Sequence, residues 1–431
     1  MNILLLGSGG REHAFAWKIV NSPKCSKLYV APGNAGTSEI AENVSLGIND
    51  FPTIKDFVLE KEIALIVVGP EEPLVKGIAD FFANDPETSQ IPVIGPQKLG
   101  ATLEGSKDFS KQFMERNGIP TAASGTFTTE NIEEGLSFIE KQSLPVVLKA
   151  DGLAAGKGVL ICQSHEEALD SFKEMLLESK FGEASSKVVV EEYLSGIELS
   201  VFVATDGKSY KILPEAKDYK RIGEKDTGLN TGGMGAVTPV PFADAAFMKK
   251  VEEKVVQPTI KGLERENIDY KGFLFIGLMN VKGEPYVIEY NVRMGDPETQ
   301  AVLPRIKSDF VDLLQAMGTK KLDQYVLELE DYVTATVVMV ADGYPGKYPK
   351  GDPIEGLNFA DNGNSITFHA GTTTNDAKEV ITNGGRVMGI TGKGKDIGEA
   401  LANAYARTKE ISWSGVYYRK DIGQDILNYG K

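Results

Sequence analysis

The sequence predicts an α/β protein, α+β overall, and three observations carry that reading. From residue 1 to about 100, short β-rich runs (NILLLG, KLYVA, IALIVVG, IPVIG) alternate with helical patterns, the signature of a parallel sheet built from βαβ units. The middle of the chain mixes hairpins and helices, among them GFLFIGLMNVKGEPYVIEYNVR, a long hairpin turning at Lys282-Gly283. From about 326 onward the chain is strand-rich with many glycine turns. At 431 residues and 42% apolar it buries a full core and divides into roughly two to four domains. We place the divisions at 1–102, 103–325 and 326–431, with a small unit at 121–187 inside the second.

The first strand runs into the turn GSGGREHAF, where Gly7-x-Gly9 begins a dinucleotide fingerprint. Glu12 then stands in the third glycine position, and APGNAG follows the second strand where an acidic residue belongs, so NAD is disfavoured. A glycine-rich turn entering a helix still suits a single phosphate, and a tight turn with no ligand is the alternative. Residues 103–118 (LEGSKDFSKQFMERNG) predict a helix closed by Asn117-Gly118, with Pro120 beyond.

The stretch KADGLAAGKGV, 149–159, is a phosphate-loop candidate that fails the Walker A test. Three residues separate Gly152 from Gly156, Gly158 stands where a hydroxyl belongs, and a strand follows instead of a helix. The reading is a flap between the strands PVVLKA and KGVLICQ, presenting backbone N–H groups and a lysine charge to phosphates; a mobile hairpin loop is the alternative. VVVEEYLSGIELSVFVATDG predicts two strands joined by a turn, and 243–265 a helix. Between them AKDYKRIGEKDTGLNTGGMGA, 216–236, is a long loop without apolar periodicity, either functional or a disordered insertion.

A formal charge of −15 excludes the broad basic face that nucleic acid or a membrane surface demands. No apolar run approaches the roughly 20 residues of a membrane helix, and the N-terminus reads as a strand, so a cytoplasmic protein is expected. Cys25 and Cys162 predict buried or half-buried thiols, and His13, His165 and His369 are too scattered for a metal cluster. Chemistry concentrates elsewhere. In VIEYNVR alternate residues share a strand face, so Glu289 and Asn291 point together, with Ile288 and Tyr290 opposite and Arg293 following on the same side. Such a pair suits Mg²⁺, which takes few protein oxygens. A flap lysine, a basic loop around Lys217, Lys220 and Arg221, and a magnesium pair together suit nucleotide phosphoryl transfer.

With GSGGREHAFAWK, VAPGNAGT, VGPEEPLVKGI, LEGSKDF, KADGLAAGKGV, TGLNTGGMGA, RMGDPETQ, FHAGT, TNGGRV and RKDIG on one chain, the sequence resembles the phosphoribosylamine-glycine ligases, or glycinamide ribonucleotide synthetases, of the ATP-grasp superfamily, over essentially its whole length. The resemblance implies an ATP-grasp fold between an N-terminal parallel α/β (pre-ATP-grasp) domain and a C-terminal β-rich domain. It implies that glycine is joined to 5-phosphoribosylamine through glycyl phosphate, with ATP as co-substrate and Mg²⁺ or Mn²⁺ as cofactor. Carried over residue by residue, it assigns ATP to Lys107, Lys149, Gly156, Lys157, Gly158, Glu191, Glu192, Leu194, Glu198 and Asn230, and the metal to Glu289 and Asn291. Arg293, Lys217 and Asp218 are the implied catalytic residues, with Arg293, Asp218 and Asp296 around glycine. Gly9, Gly10, Pro70, Glu71 and Arg386 are implied for phosphoribosylamine. Two departures stand out: Tyr219 where relatives often carry histidine, which puts a basic role for that ring in doubt, and Met294 before GDPE, expected to change packing only. The implied protein is a monomer in transient contact with the amidotransferase that makes its amine, and no fused later-pathway domain is expected after RKDIG. Another carboxylate-amine ligase of the superfamily and a non-catalytic nucleotide-binding protein are the competing readings.

Overall fold

The structure, a computed structural model, describes residues 1–152, 158–178, 186–357 and 363–429. Strands β1 (Asn2–Gly7), β2 (Lys27–Pro32), β3 (Glu42–Asn43), β4 (Ile63–Val68) and β5 (Val93–Ile94) form the expected parallel sheet, in the order β3-β2-β1-β4-β5. Both faces are apolar because both are covered: Leu4 and Leu6 enter one core, Ile3 and Leu5 another. The helix Gly10–Val20 starts at the end of β1 and explains the broken dinucleotide pattern. The Glu12 side chain curls under the turn, where a Cβ on Gly7 would lie 2.3 Å from its Cγ and one on Gly69 2.1 Å from its Oε1. Glu12 therefore fills the space that a pyrophosphate-binding turn keeps open.

The expected single helix over 103–118 is corrected to two. The helix Lys98–Gly105 ends, and Lys107–Arg116 begins anew because Ser106 is extended and its Oγ accepts the Phe109 N–H. Next, β6 (Ser124–Phe127), β7 (Val146–Ala150), β8 (Val159–Cys162) and β9 (Val188–Glu192) form a sheet in the order β6-β9-β7-β8. Helices Ile132–Glu140 and His165–Leu177 accompany it, around a separate core that includes Phe127, Leu148, Phe172 and Val190. The two strands flanking the flap are thus β7 and β8, paired antiparallel. Cys162 is buried in this core and Cys25 is half-buried.

Beyond β10 (Ile197–Thr205) and β11 (Tyr210–Ile212), the segment expected as one long loop is instead ordered into strands. It holds β12 (Lys217–Asp218), the ribbon of β13 (Arg221–Gly223) and β14 (Thr227–Asn230), and the start of β15 (Gly235–Thr238). The ribbon buries neither face completely, which is why its sequence shows no apolar period. β16 (Gly272–Val281) and β17 (Glu284–Asn291) make the expected hairpin, with positive φ at both Lys282 and Gly283. With β10 and β11 they form a second antiparallel sheet, β11-β10-β16-β17.

The C-terminal strands are β18 (Val333–Val340), β19 (Ser365–His369), β20 (Thr372–Thr374), β21 (Val380–Thr382) and β22 (Arg386–Gly394). Their main sheet runs β12-β15-β18-β22-β19, so the middle of the chain lends it two strands and β12 is its edge. Beside the short helix Gln424–Leu427, one longer helix, Ile397–Thr408, goes beyond the strand-rich expectation. It lies so close over β22 that a Cβ on Gly392 would meet the Ala400 carbonyl oxygen at 2.0 Å.

The N-terminal and C-terminal sheets meet at a histidine pair. His369 donates its backbone N–H to His13 Nδ1 (2.8 Å), and Asn34 Nδ2 donates to the carbonyls of Ser8 (2.8 Å) and His369 (3.0 Å). Burial, reinforced by His369, pulls His13 down to about 3, and burial pulls His369 down to about 4. Unfolded, both rings protonate near 6.5, so below that pH the unfolded chain binds more protons and stability falls as pH falls, by up to about 1.4 kcal/mol per pH unit per ring. Thermal unfolding followed at pH 7.5, 6.5 and 5.5 should show a declining midpoint. The decline should be shallower in the double variant His13→Gln, His369→Gln.

Candidate functional site

Alternate residues of β7 and β9 share a face, which puts Lys149 and Glu191 together across the ladder. Lys149 Nζ lies 2.8 Å from Glu191 Oε2 and 3.3 Å from the Ile288 carbonyl of β17, so this pair stands where the small sheet meets the second sheet. Lys111, one turn beyond Lys107, approaches Glu191 Oε1 at 3.2 Å, close enough for an ion pair but not aligned as a hydrogen bond. Burial, set against Glu191, draws Lys111 down to about 8. Lys107 lies in the same field. Burial lowers it, Glu289 opposes and Lys149 adds to the lowering, and its Nζ donates to the Gly152 carbonyl at 3.2 Å. Asp151 locks the base of the flap to this helix, accepting from Ser106 Oγ (3.0 Å) and from the Asp108 N–H (2.7 Å). Of the flap residues, Gly158 is buried and its carbonyl accepts the Ala150 N–H at 2.8 Å. Gly156 and Lys157 lie outside the described residues.

Glu192 and Leu194 follow Glu191 along the chain. Glu192 Oε1 accepts the Ala123 N–H at 2.9 Å and Leu194 is half-buried. Glu198 is exposed on β10 and Lys220 reaches its Oε2 at 2.8 Å. Asn230, at the end of β14, is exposed.

The strict alternation expected in β17 is corrected at Ile288. Gly277 pairs with Glu289 and Leu278 with Val287, leaving Ile288 unpaired in a bulge, and Ile288 lines the same small cavity as Glu289, Asp218, Lys220 and Glu198. Glu289 and Asn291 do point together, with Asn291 Nδ2 3.4 Å from Glu289 Oε1, and Tyr290 goes to the core. Burial opposes ionisation of Glu289, yet Lys220, Lys149 and Lys107 outweigh it and hold the carboxyl below its usual range. Among the described residues no group of three or more His, Cys, Asp or Glu side chains is gathered for a metal. An ionised carboxylate beside a side-chain amide suits a hard divalent cation that completes its shell with phosphate and water, once the amide turns its oxygen, here taken by Arg293, toward the carboxylate.

Arg293 is held from three sides. Its Nη2 donates to Glu104 Oε1 (2.8 Å) and Asn291 Oδ1 (3.3 Å), and its Nε to Glu71 Oε2 (3.3 Å). Glu104 turns its other oxygen to the Val292 N–H at 2.7 Å, so one carboxylate holds the backbone just before Arg293 as well as its guanidinium. Pro70 caps the helix Glu71–Val75 that presents Glu71. Burial works against charge on Glu71, but Arg293 and Arg11 keep it ionised.

On β12 the faces divide. Asp218 and Lys220 turn toward Glu198 and Glu289, whereas Lys217 is not brought to the cleft. Its Nζ lies 3.1 Å from Asp425 and 3.9 Å from the centre of the Tyr219 ring, on the opposite face. Tyr219 is buried with its hydroxyl on Asp425, which removes it from any basic role. Met294 is fully buried, its carbonyl accepting from Arg11 Nη1 at 3.1 Å. Burial raises Asp218, with Glu198 adding and Lys220 opposing, and burial with Asp218 beside it lifts Glu298 to about 8.

At the N-terminal turn, the expected anion seat is filled from within. Gly9 donates its N–H to Glu12 Oε2 at 2.6 Å and Arg11 donates its N–H to Asp296 Oδ2 at 3.3 Å, so carboxylates already occupy the helix start. A Cβ on Gly10 would meet Gln300 at 2.3 Å. Arg386 closes the other side, donating to the carbonyls of Asp296 and Gly232 at 2.6 Å each. Lys111, Glu104 and Glu298 escaped the sequence reading. The i, i+4 spacing of Lys107 and Lys111 was the available signal for the first; nothing local marks the other two.

Three family models match in succession: the N domain of phosphoribosylglycinamide synthetase over 1–104, its ATP-grasp (A) domain over 105–299 and its C domain over 334–425. The chain belongs to the phosphoribosylglycinamide synthetase family. It is 45% identical to the phosphoribosylamine–glycine ligase of Vibrio cholerae and 44% identical to that of Escherichia coli K12, each over 98% of both chains. The crystal structure of phosphoribosylamine–glycine ligase from Thermotoga maritima matches with a TM-score of 0.85 at 35% identity, covering 98% of this chain and 100% of that one. The biotin carboxylase domain of Hydrogenobacter thermophilus 2-oxoglutarate carboxylase shares the fold, with a TM-score of 0.72 at 17% identity over 100% and 99% of the two chains.

Truncating Glu104 should leave the Arg293 charge and the Val292 amide without their acceptor. We expect Glu104→Ala to cost about 3–5 kcal/mol in urea unfolding, and Glu104→Gln markedly less.

Proposed function

We propose that the chain is an ATP-dependent ligase of purine biosynthesis, joining glycine to 5-phosphoribosylamine to give glycinamide ribonucleotide, ADP and phosphate. Family membership and the names of relatives matched end to end support the activity. The observation that carries the mechanism is the convergence of Lys107, Lys149 and Glu289 at the junction of two sheets, one strand turn from Arg293. That arrangement neutralises transferring phosphate from several directions, and phosphoryl transfer needs positioning and charge more than covalent help.

In this reading Lys107 and Lys149 draw the ATP phosphates, the flap covers them, and the Glu191–Leu194 segment receives adenine with Glu198 at the ribose. Glu289 and Asn291 would hold a divalent cation, Mg²⁺ or Mn²⁺, which supplies charge neutralisation between the phosphates. Arg293 binds the glycine carboxylate. One of its oxygens takes the terminal phosphoryl group, breaking the bond to ADP and giving glycyl phosphate. Asp218, with Asp296 farther along, receives the glycine ammonium. The amine of phosphoribosylamine, entering between Gly10, Pro70, Glu71 and Arg386, then attacks the acyl carbon; the C–N bond forms, the C–O bond to phosphate breaks, and the amine's proton passes to the departing phosphate. Closing the flap excludes water, which would hydrolyse the acyl phosphate. The same reading carries a cytoplasmic monomer that meets the amidotransferase making its amine only transiently.

ADP release dependent on both glycine and freshly generated phosphoribosylamine tests the activity; release with another small carboxylate but not glycine would redirect it to a different ligase. Glu289→Gln should lower metal-dependent turnover by about 10² or more, the scale of losing preorganised charge stabilisation. Arg293→Met should raise the KM for glycine far more than that for ATP, and equal rises would remove Arg293 from the glycine site.

A further inference from the structure

The face of β12 turned away from the cleft carries contacts that the reaction itself does not use. Tyr219 donates its hydroxyl to Asp425 Oδ1 at 2.5 Å, and Lys217 Nζ lies 3.1 Å from Asp425 Oδ2. The Arg419 guanidinium lies over the same Tyr219 ring, 5.4 Å from its centre. Arg419 is 1% exposed, which is rare for a charged side chain, and its donors are matched on several sides. Asp421 takes Nε and Nη2 at 2.8 Å each, Asp226 takes Nη1 at 2.7 Å, and the Arg221 carbonyl accepts from Nη1 at 3.1 Å. Asp421 also accepts the Lys225 N–H at 2.6 Å, and the Tyr417 hydroxyl donates to the Ile222 carbonyl at 3.0 Å. Every partner on one side comes from 417–425, near the end of the chain, and every partner on the other from 217–226, the segment that turns Asp218 and Lys220 into the cleft.

β12 is short but tied on both sides. It is two residues long and pairs with β15 at Lys217 with Val237 and Asp218 with Ala236, while Ala216 just before it exchanges backbone hydrogen bonds with Ser200 of β10, and Tyr219 just after it bonds to the backbone of Gly235 and Met234. Those bonds fix the path of the backbone, and any rotation left to it moves Asp218 and Lys220 together with Lys217 and Tyr219, because the two faces share one backbone. A forked guanidinium with directional partners on both segments specifies geometry far more tightly than an apolar contact would.

We propose that Arg419 and Asp425 are positioning residues of the ligase reaction: they grip β12 and the following ribbon from behind and so set Asp218 and Lys220 in the substrate cleft. The proposal rests on the function given above. It makes the end of the chain part of the reaction's geometry although none of its side chains touches substrate, and it accounts for tyrosine at 219: the phenol reaches Asp425.

The test is steady-state kinetics on the full chain, with glycine and ATP varied separately. Asp425→Ala should lower kcat/KM for glycine about tenfold, since misplacements of about 1 Å reach 10²-fold. The KM for ATP should rise much less than that for glycine, because Lys107, Lys149 and Glu191 stand on other elements and β12 reaches the nucleotide side only through Lys220 and its contact with Glu198. Asp425→Asn, which keeps an oxygen acceptor for the Tyr219 hydroxyl, should recover most of the loss. Tyr219→Phe, which deletes one hydroxyl, should shift glycine kinetics in the same direction and serves if the alanine variant fails to fold. With an active wild type, unchanged glycine kinetics in these variants, or equal losses toward glycine and ATP, overturn the positioning role. A wild type that releases no ADP with glycine overturns the functional reading first, and the proposal with it.

Discussion

The guanidinium of Arg293 is where the architecture converges. It leaves the end of β17, is gripped by Glu104 at the end of the helix Lys98–Gly105, and is touched by Glu71 from a helix that follows β4 of the parallel sheet. A half-buried arginine without such partners would be costly, so the parallel sheet, the helix pair and the hairpin must all be in place before this side chain can be where it is. Burial works against its charge, and Glu104 and Glu71 more than offset that, holding it firmly protonated. The group proposed to meet glycine is thus rigid because three elements share it.

Electrostatics around it follow a simple plan. The chain carries −15 overall, yet Lys107, Lys111 and Lys149 are drawn in from two elements around the carboxylates of Glu191 and Glu289. Each lysine has an acidic neighbour, so none is an orphan charge, but the set can exchange those neighbours for phosphate oxygens. A cleft of this kind needs no broad basic surface, because low-dielectric walls strengthen the few charges inside.

The remaining architecture serves to hold the cleft's far wall. The C-terminal sheet recruits β12 and β15 from the middle of the chain, and His13, His369 and Asn34 join that sheet to the first one. Residues near 198, 218 and 289 consequently face one cavity, above cores that run across the N-terminal, middle and C-terminal parts of the chain. Glu12 belongs to this scheme: it fills the turn after β1 from inside, so the turn serves as a rigid corner against Asp296 and Arg386, with the Gly9 amide already committed.

Much of this was legible in the residues. Parallel strands announced themselves by apolar runs at βαβ spacing, the hairpin by Lys282-Gly283, and the pair Glu289 and Asn291 by the two-residue period of a strand, because such patterns depend only on neighbours along the chain. Ser106 also wrote its cap locally, and was overlooked inside a helical pattern. Other features have no local trace. Only folding brings Glu104 to Arg293, 189 positions away, or Asp425 to Tyr219, 206 away, and only the sheet register decides that Lys217 faces Asp425 while Asp218 faces the cleft. The amino-acid sequence by itself settled which chemical groups are present and on what kind of element; the tertiary structure settled which of them meet, because contact across the chain is determined by packing and not by spacing.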